Sequence, residues 1–310
     1  MIVALAGGTG AAKLLRGLAR ATDEARLVVV GNTGDDLTWW GLAVSPDLDS
    51  VTYALGGLLD PDRGWGHRDE TFRCQAAMAR LGAETWFQLG DQDLALHLRR
   101  TELLRTGATL SAVTATLGRA LGVRAAILPM SDDPVQTRLR TPAGWLTLEE
   151  FFVRERTAPA VLEVAYEGAA GARPAPGVRE AIGAAEAVVV CCSNPVTSIG
   201  PILAVPGVAE ALTATPAPVV AVSPIVGGAA VSGPAGKLMA ARGLPVSADG
   251  VAAAYQPWLD VLLIDRRDAA LAPAIEHRGA RPVLADLVMA DARGETALAE
   301  SVLAAVGLVG

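Results

Sequence analysis

The feature that most constrains the fold is a series of short apolar runs, each followed by a polar loop. The runs are Ile2–Ala6, Leu27–Val30, Thr85–Leu89, Ala125–Leu128, Ala187–Cys191, Pro218–Val222 and Val261–Ile264. Because they are almost continuously apolar, they predict strands that are covered on both faces, as in a parallel sheet. Stretches of helical character lie between most of them: Ser50–Leu59, Asp69–Leu81, Leu94–Arg105 and Leu110–Leu121. This alternation predicts an α/β fold with a doubly wound, mostly parallel sheet.

One segment departs from this alternation and predicts a smaller inserted subdomain or lid. Residues 133–172 combine strand-like alternation around Pro142-Ala143-Gly144 with a short acidic and aromatic helix. The core would then consist of two parts, residues 1–132 and 173–310. At 310 residues and 51% hydrophobic composition, the chain can bury one large core of this kind.

Charge and cysteine usage exclude several classes of protein. The net charge of −7 argues against a nucleic-acid partner. Cys74, Cys191 and Cys192 form no disulfide framework, and the adjacent pair lies in an apolar run, as expected for buried thiols in a reducing compartment. Two charge-free segments, Ala187–Ala209 and Ala211–Gly236, are broken by Pro and Gly and predict strands and loops rather than membrane spans. No signal peptide is visible, so we expect a soluble cytoplasmic protein that does not bind membranes.

Polar loops follow nearly all of the predicted strands. In chain order they read GGTG, GNTGDD, GDQD, SDD, CSNP, SPIVGG and DRRD. The carboxyl ends of parallel strands meet at one edge of a sheet, where ligands bind at the topological switch point. The loops therefore predict a composite active site, although ordinary turns would also be polar.

The first of these loops, Gly7-Gly8-Thr9-Gly10, leads into a helix that we expect to begin near Ala11. The free N–H groups of a helix start favour a phosphate, but a tight turn would also use glycine. No Ser or Thr follows Lys13, which disfavours a kinase-like phosphate loop. Lys13 and Lys237 are the two lysines of the chain, and each follows a glycine-rich stretch where an ammonium group could meet a phosphate, unless compositional bias alone explains them.

The stretch after the second strand is rich in carboxylates. It contains Asp35, Asp36, Asp47 and Asp49. Asp49 could be a helix N-cap, but one cap does not need four acids, and Mg²⁺ bound to a phosphorylated substrate uses one or two carboxylates.

Two further sets of residues suit a ligand or an ordinary structural role. Trp39 and Trp40 could stack on a planar ring or lie in the core. The loops after the fifth and sixth main strands could hold a nucleotide diphosphate or simply be ordered turns; their polar and glycine residues are Ser193, Asn194, Thr197, Ser198, Gly227, Gly228, Gly233 and Gly236.

The chain has no nucleophile–base arrangement in its sequence pattern. Its histidines, His67, His97 and His277, show no metal-ligand spacing with cysteine, which disfavours zinc and covalent catalysis. Phosphate chemistry with Mg²⁺, backbone donors and positioning remains.

These motifs together resemble one family. GGTGAAKLL, NTGDD, SPDLDSVTYAL, GWGHRDET, LGDQDLALH, MSDDPVQT, SNPVTSIGPIL and SPIVGGAAVSGPAGK occur in order along nearly the whole chain. They are similar to 2-phospho-L-lactate transferase and its phosphoenolpyruvate transferase form, the CofD-like enzymes of coenzyme F-420 biosynthesis. The resemblance implies a Rossmann-like fold, Mg²⁺, and an enzyme that joins the deazaflavin alcohol Fo to the phospho-acid half of a guanosine diphosphate-type donor, with release of GMP.

The resemblance also implies roles for individual residues. Asp49 would be catalytic and would lie at the Fo and metal sites, with Asp35 as a second metal ligand. Gln88 would lie near Fo, although family members often carry a basic residue there. The Fo site would comprise Asp36, Trp39, Asp49, Gln88 and Asp91. The nucleotide site would comprise Gly7, Gly8, Thr9, Gly10, Lys13, Ser193, Asn194, Thr197, Ser223, Gly227 and Gly228.

Two other functions are weighed against this one. A related CofD-like group consists of regulatory proteins that bind nucleotide-sugars without the Fo reaction; NTGDD and SPDLDS favour the transferase. A nicotinamide-dependent dehydrogenase is disfavoured because GxGxxG is missing from the opening. The sequence leaves open which acid is transferred, which arginine among Arg63, Arg68 and Arg138 would bind it, and whether the protein forms a homodimer.

Overall fold

The computed structural model describes residues 1–308, so the last two positions of the predicted core part 173–310 lie outside the described residues. The strands in this range are β1 (Ile2–Ala6), β2 (Leu27–Gly31), β3 (Leu37–Trp39), β4 (Leu42–Val44), β5 (Ala126–Pro129), β6 (Gln136–Thr141), β7 (Gly144–Thr147), β8 (Glu163–Glu167), β9 (Ala187–Val190), β10 (Val219–Val222), β11 (Ile225–Val226), β12 (Ala229–Ala230), β13 (Val261–Asp265) and β14 (Arg281–Ala285). The α-helices are α1 (Gly8–Ala21), α2 (Pro46–Leu55), α3 (Arg73–Arg80), α4 (Asp91–Arg105), α5 (Leu110–Ala120), α6 (Val178–Gly183), α7 (Ile199–Ala204), α8 (Val208–Ala214), α9 (Ala235–Ala241), α10 (Ala248–Ala254), α11 (Ala272–His277) and α12 (Ala292–Ala305). Short 3-10 turns occupy Glu24–Arg26, Ala169–Gly171 and Arg266–Leu271, and a π-helical turn occupies Glu150–Arg154.

A seven-stranded parallel sheet forms the centre of the described chain, in the order β14-β13-β10-β9-β1-β2-β5. From β1 the chain proceeds outward through β2 to β5, then returns to β9 on the other side of β1 and proceeds outward to β14. The direction of winding therefore reverses between β1 and β9, and this is the topological switch point. The predicted doubly wound α/β fold is confirmed.

Helices cover both faces of this sheet, which explains the continuous apolar runs. Val3 and Leu5 of β1 belong to one buried cluster, whereas Ile2 and Ala4 belong to the cluster on the opposite face. On the second face, α1 packs against α12 so closely that a Cβ at Gly17 would lie 2.2 Å from the carbonyl oxygen of Glu295. Gly17 is therefore required by the contact between the two helices.

One predicted strand is wrong, and one strand of the seven-stranded sheet was missed. Thr85–Leu89 is irregular, because its backbone pairs with a side chain instead of a strand: Gln75 donates to the carbonyl of Thr85 and accepts from the amide of Leu89. The missed strand, β14, lies at the sheet edge, is largely half-exposed, and contains Pro282, which an edge strand tolerates.

The segment predicted as an insertion contains its own antiparallel sheet, in the order β7-β6-β8. Its apolar face is continuous with the main core, since Leu139, Phe151 and Val164 belong to the same buried cluster as Val3 and Leu5. The division into 1–132, 133–172 and 173–310 remains a prediction.

In the part of the chain that the structure describes, no helix has both the length and the apolar composition needed to cross a bilayer.

Candidate functional site

A cleft of about 990 Å³ opens at the carboxyl ends of the central strands. It brings together most of the residues that the sequence predicted for the site. Those on its wall are Gly7, Gly8, Thr9, Gly10, Lys13, Asp35, Asp49, Gln88, Ser193, Asn194, Thr197 and Ser223. The cleft thus lies at the switch point between β1 and β9, where ligands of open α/β sheets bind.

The loops after β1 and β9 are joined directly. The Ser193 hydroxyl donates to the carbonyl of Gly7 at 2.7 Å, and the Cys192 thiol donates to the carbonyl of Gly10 at 3.2 Å. Burial raises the pKa of Cys192 to about 12, so this thiol keeps its proton at neutral pH. A Cβ at Gly10 would lie 2.7 Å from the carbonyl oxygen of Cys192, so the two loops can approach only with glycine there.

The N-terminus of α1 faces this cleft, and its N-cap residue, Gly7, supplies no side-chain cap. The helix begins at Gly8, whose φ of 75° is left-handed and whose amide donates to Asp47 at 2.6 Å. Free amides at the start of a 14-residue helix attract anions. Lys13, one turn further on, adds a positive charge at the cleft wall, where its ammonium group donates to the carbonyl of Met289 at 3.3 Å.

The loops after β9 and β10 are ordered by their own side chains. Asn194 accepts from the amides of Val196 and Thr197 at 2.9 and 3.3 Å. The Ser223 hydroxyl donates to the carbonyl of Ile225 at 2.8 Å. The side chains that the sequence predicted to hold a nucleotide therefore also fix the shape of the cleft.

Three carboxylates on the wall repel one another. Burial, together with the neighbouring Asp47 and Glu149, raises the pKa of Asp35 well above its usual value. Burial also raises the pKa of Asp47. The pKa of Glu149 is raised to about 8, mainly by burial and secondly by the charge of Asp47. Sequence reasoning missed Glu149, because it lies in the insertion, far from the acidic motif along the chain.

Asp49 has a different environment. It is 5% exposed and accepts from both terminal nitrogens of Arg100, which is itself 3% exposed. Burial lowers the pKa of Arg100, but the Asp49 carboxylate more than offsets this, and the net change is upward. Burial lowers the pKa of His97 to about 4, so the ring is neutral and its Nδ1 lies 3.1 Å from Arg100. The charge of Asp49 is thus balanced inside the protein.

The donor set fits a hard cation of the kind that also binds substrate phosphates. Within residues 1–308, no three His, Cys, Asp or Glu side chains form a metal cage by themselves. Oδ1 of Asp35 is buried without a hydrogen-bond partner, and Asp35 lies beside Asp47. Mg²⁺ uses one or two carboxylates and completes its shell with water and phosphate oxygens. Of the two predicted ligands, Asp35 has a free oxygen, whereas both oxygens of Asp49 accept from Arg100.

An aromatic group forms another part of the wall. Trp86 and Phe87 line the cleft, and Trp39 packs behind them, with ring centroids 4.7 Å from Trp86 and 6.0 Å from Phe87. Trp39 is 7% exposed and does not line the cleft. The aromatic part of the cleft wall therefore belongs to Thr85–Leu89, the segment that was predicted as a strand.

The structure places four more predicted residues outside the cleft wall. Asp36 accepts from the Ser45 hydroxyl at 2.7 Å. Asp91 accepts hydrogen bonds from the amides of Arg73 and Cys74 at the start of α3. Its hydrogen bonds lower the pKa of Asp91, and the bond from the Thr71 hydroxyl contributes most. The remaining two, Gly227 and Gly228, form the turn between β11 and β12.

Of the three candidate arginines, one lines the cleft and two do not. Arg63 lines the cleft but donates to Asp60, whereas Arg68 and Arg138 do not line it. Arg156, which sequence reasoning missed, lies on the wall. Its position in the insertion gives no local motif that would have revealed it.

Comparisons with known proteins agree with the motifs. The family model described as 2-phospho-L-lactate transferase CofD matches residues 2–303. A phosphoenolpyruvate transferase from Streptomyces griseus is 44% identical, over 97% of this chain and 97% of the relative. A 2-phospho-L-lactate transferase from Methanosarcina mazei is 43% identical, over 98% of this chain and its own full length.

A solved structure of a UPF0052-family protein from Bacillus halodurans is similar in fold, with a TM-score of 0.66 over 97% of this chain and 98% of its own, at 17% identity. The sequence matches, unlike this structural one, are more than 40% identical over nearly the whole chain. They confirm the resemblance, and the chain belongs to the 2-phospho-L-lactate transferase family.

Proposed function

We propose that this protein transfers the phospho-acid part of a guanylylated three-carbon acid to the hydroxyl of the deazaflavin alcohol Fo, releasing GMP, in the biosynthesis of coenzyme F-420. Membership of the transferase family supports the reaction class. The observation that carries the proposal is the meeting of an anion-binding helix start, a carboxylate group and an aromatic wall in one cleft. The free cysteines agree with the expected cytoplasmic location.

The guanosine phosphates are proposed to bind at the start of α1. The Gly8 amide is taken by Asp47, so the next amides of the first turn, at Thr9 and Gly10, are the donors proposed for the phosphates, and Lys13 adds a cation. The hydroxyl and amide groups of Ser193, Asn194 and Thr197 line the same part of the sheet edge. This placement puts the leaving GMP against preorganised donors.

Fo is proposed to bind against Trp86 and Phe87. A planar deazaflavin ring suits an aromatic surface, and Gln88 follows these rings on the same wall. Asp49 lies on the cleft wall too, where its carboxylate can accept a hydrogen bond from the terminal hydroxyl of Fo. Both terminal nitrogens of Arg100 donate to that carboxylate and fix its orientation.

Asp35 is the residue we propose to hold Mg²⁺ together with the donor's phosphates. It offers an unpartnered oxygen, whereas both oxygens of the neighbouring Asp47 accept hydrogen bonds, from Gly8 and from Asn32. When bound, Mg²⁺ supplies positive charge to phosphate oxygens.

The bond changes balance without a covalent enzyme intermediate. The Fo hydroxyl oxygen forms a bond to the phosphorus that carries the acid, and the phosphoanhydride bond from that phosphorus to GMP breaks. The hydroxyl proton passes to Asp49, and GMP leaves with the electron pair of the broken bond. A loose transition state needs little activation of the nucleophile, so positioning accounts for most of the catalysis.

The test is to incubate the protein with Fo, Mg²⁺ and guanylylated phospholactate or phosphoenolpyruvate. We expect GMP and the Fo adduct in equal amounts by chromatography and mass spectrometry. Asp49→Asn should lower kcat by two orders of magnitude or more with an unchanged circular dichroism spectrum. GMP release at wild-type rate from Asp49→Asn would remove Asp49 from the mechanism. Nucleotide-sugar binding without GMP release would instead favour the regulatory alternative.

A further inference from the structure

Arg156 is a cation on the cleft wall without a hydrogen-bond or ion-pair partner among the described residues. The ammonium group of Lys13 donates to the carbonyl of Met289, and Arg63 donates to Asp60 and to the carbonyl of His67. Within residues 1–308, the guanidinium of Arg156 makes no hydrogen bond and no ion pair, although it lines the cleft. Its charge is therefore available to a ligand.

The backbone that carries Arg156 is in an unfavourable conformation. Arg156 and Thr157 have φ angles of 49° and 58°, so two successive residues with a Cβ are left-handed. Such conformations cost free energy and persist only where surrounding contacts enforce them, which is common at ligand sites. The amide of Thr157 donates to the carbonyl of Phe151 at 2.8 Å, and the amide of Ala158 donates to the backbone carbonyl of Glu155 at 3.0 Å.

Lys237 holds the same turn from outside the insertion. Its ammonium group, in the helix α9, donates to the carbonyls of Thr157, Ala158 and Pro159, the last at 3.1 Å. The ammonium group of Lys237 is thus used to anchor the turn. Contacts from two parts of the chain thus fix the backbone that follows Arg156, and the exposed side chain extends from this held turn.

We infer that Arg156 binds the carboxylate of the three-carbon acid in the donor. This inference rests on the proposed function. The donor carries two kinds of anion, and the amides at the start of α1 with Lys13 serve the phosphates. The acid carboxylate needs a cation of its own, because Lys13 serves the phosphates and Arg63 pairs with Asp60. A guanidinium matches a carboxylate with two parallel hydrogen bonds, which an ammonium group cannot.

The experiment measures binding by calorimetry, so that it does not depend on turnover. The probes are GDP, guanylylated phosphoenolpyruvate, and guanylylated ethyl phosphate, which lacks the carboxylate. The variants are Arg156→Gln and Arg156→Lys, with Arg140→Gln as the matched control, since Arg140 pairs with Glu163 on the insertion sheet and does not line the cleft.

We expect Arg156→Gln to weaken binding of the carboxylate-bearing donor about 10- to 100-fold, as for loss of a charged hydrogen-bonded pair. Binding of GDP and of the ethyl analogue should stay within about twofold of wild type, and Arg156→Lys should recover part of the loss. Arg140→Gln should bind all three probes as wild type does.

Equal weakening of GDP and of the donor would overturn the inference, because it would make Arg156 a general phosphate contact. Unchanged donor binding in Arg156→Gln would also overturn it. A separate turnover assay with Fo tests the proposed function. If wild type releases no GMP while the binding pattern holds, the proposed function fails and the carboxylate contact stands.

Discussion

At the scale of single residues, the pairing of Asp49 with Arg100 has the clearest consequence for stability and catalysis. Both side chains are almost fully buried, and each satisfies the other's charge. Removing one member of a buried ion pair leaves an uncompensated charge, whereas removing both is often nearly neutral. Arg100 is therefore a positioning residue for Asp49, and its effects on folding and on activity can be separated.

Arg100→Met should lower the free energy of unfolding by about 3 kcal/mol, because the Asp49 charge is left buried and unpaired. The double variant Arg100→Met/Asp49→Asn should regain most of that stability and remain inactive. Urea denaturation followed by circular dichroism measures the first effect, and GMP release measures the second. Added guanidinium ion should restore part of the activity of Arg100→Met but none of that of the double variant. A single variant as stable and active as wild type would refute the positioning role.

The predicted site residues that lie on the cleft wall share a local signal. Gly7–Gly10, Asp35 and Ser193 lie immediately after strands, where chain position alone brings them to one sheet edge. Arg100 lies two turns inside a helix and meets Asp49 only through tertiary packing, and packing likewise brings Arg156 of residues 133–172 to the cleft. Their roles could not be read from local pattern.

At the scale of elements, the loops after β1 and β9 act as one unit. Each loop alone is an ordinary glycine-rich or serine-rich turn, and the hydrogen bonds of Ser193 and Cys192 join them. The apolar runs predicted this juxtaposition because they predicted parallel strands. They could not distinguish the irregular segment Thr85–Leu89 from a strand, since the side chain of Gln75 replaces the strand partner.

Gly10→Ala should separate these two loops. The new Cβ would lie 2.7 Å from the carbonyl oxygen of Cys192, which is backbone and cannot rotate away. We expect a loss of about 1–3 kcal/mol in the free energy of unfolding, as for overpacked sites, and at least tenfold weaker GDP binding. Thermal unfolding and calorimetry measure the two effects.

Gly183→Ala is the matched control for this substitution. Gly183 ends α6, and a Cβ there would meet no atom within 4 Å. Alanine should leave stability unchanged or slightly higher, and GDP binding should match wild type. If Gly10→Ala behaved like Gly183→Ala, the close contact between the loops would not be needed for the site.

At the scale of the whole molecule, the insertion and the parallel sheet share one core. The π-helical turn Glu150–Arg154 carries two adjacent phenylalanines with opposite environments. Phe151 is fully buried in the cluster that contains Val3 and Leu5 of β1, whereas Phe152 is 47% exposed and lines the cleft. One turn thus contributes both to the core and to the site, which is why we expect the insertion to unfold together with the sheet.

Phe151→Ala should lower the free energy of unfolding of the entire chain by about 3–5 kcal/mol, since it opens a cavity in the common core. Phe152→Ala should cost less than about 1 kcal/mol, because its side chain is half exposed, but should change Fo binding. Denaturation followed by circular dichroism gives the stabilities, and hydrogen exchange shows which amides lose protection. If Phe151→Ala exposed only the amides of residues 133–172 and left those of β1 and β9 protected, the insertion would be an independent folding unit. Loss of protection in both regions together would establish that residues 133–172 and the sheet edge after β1 and β9 are stabilised by the same packing.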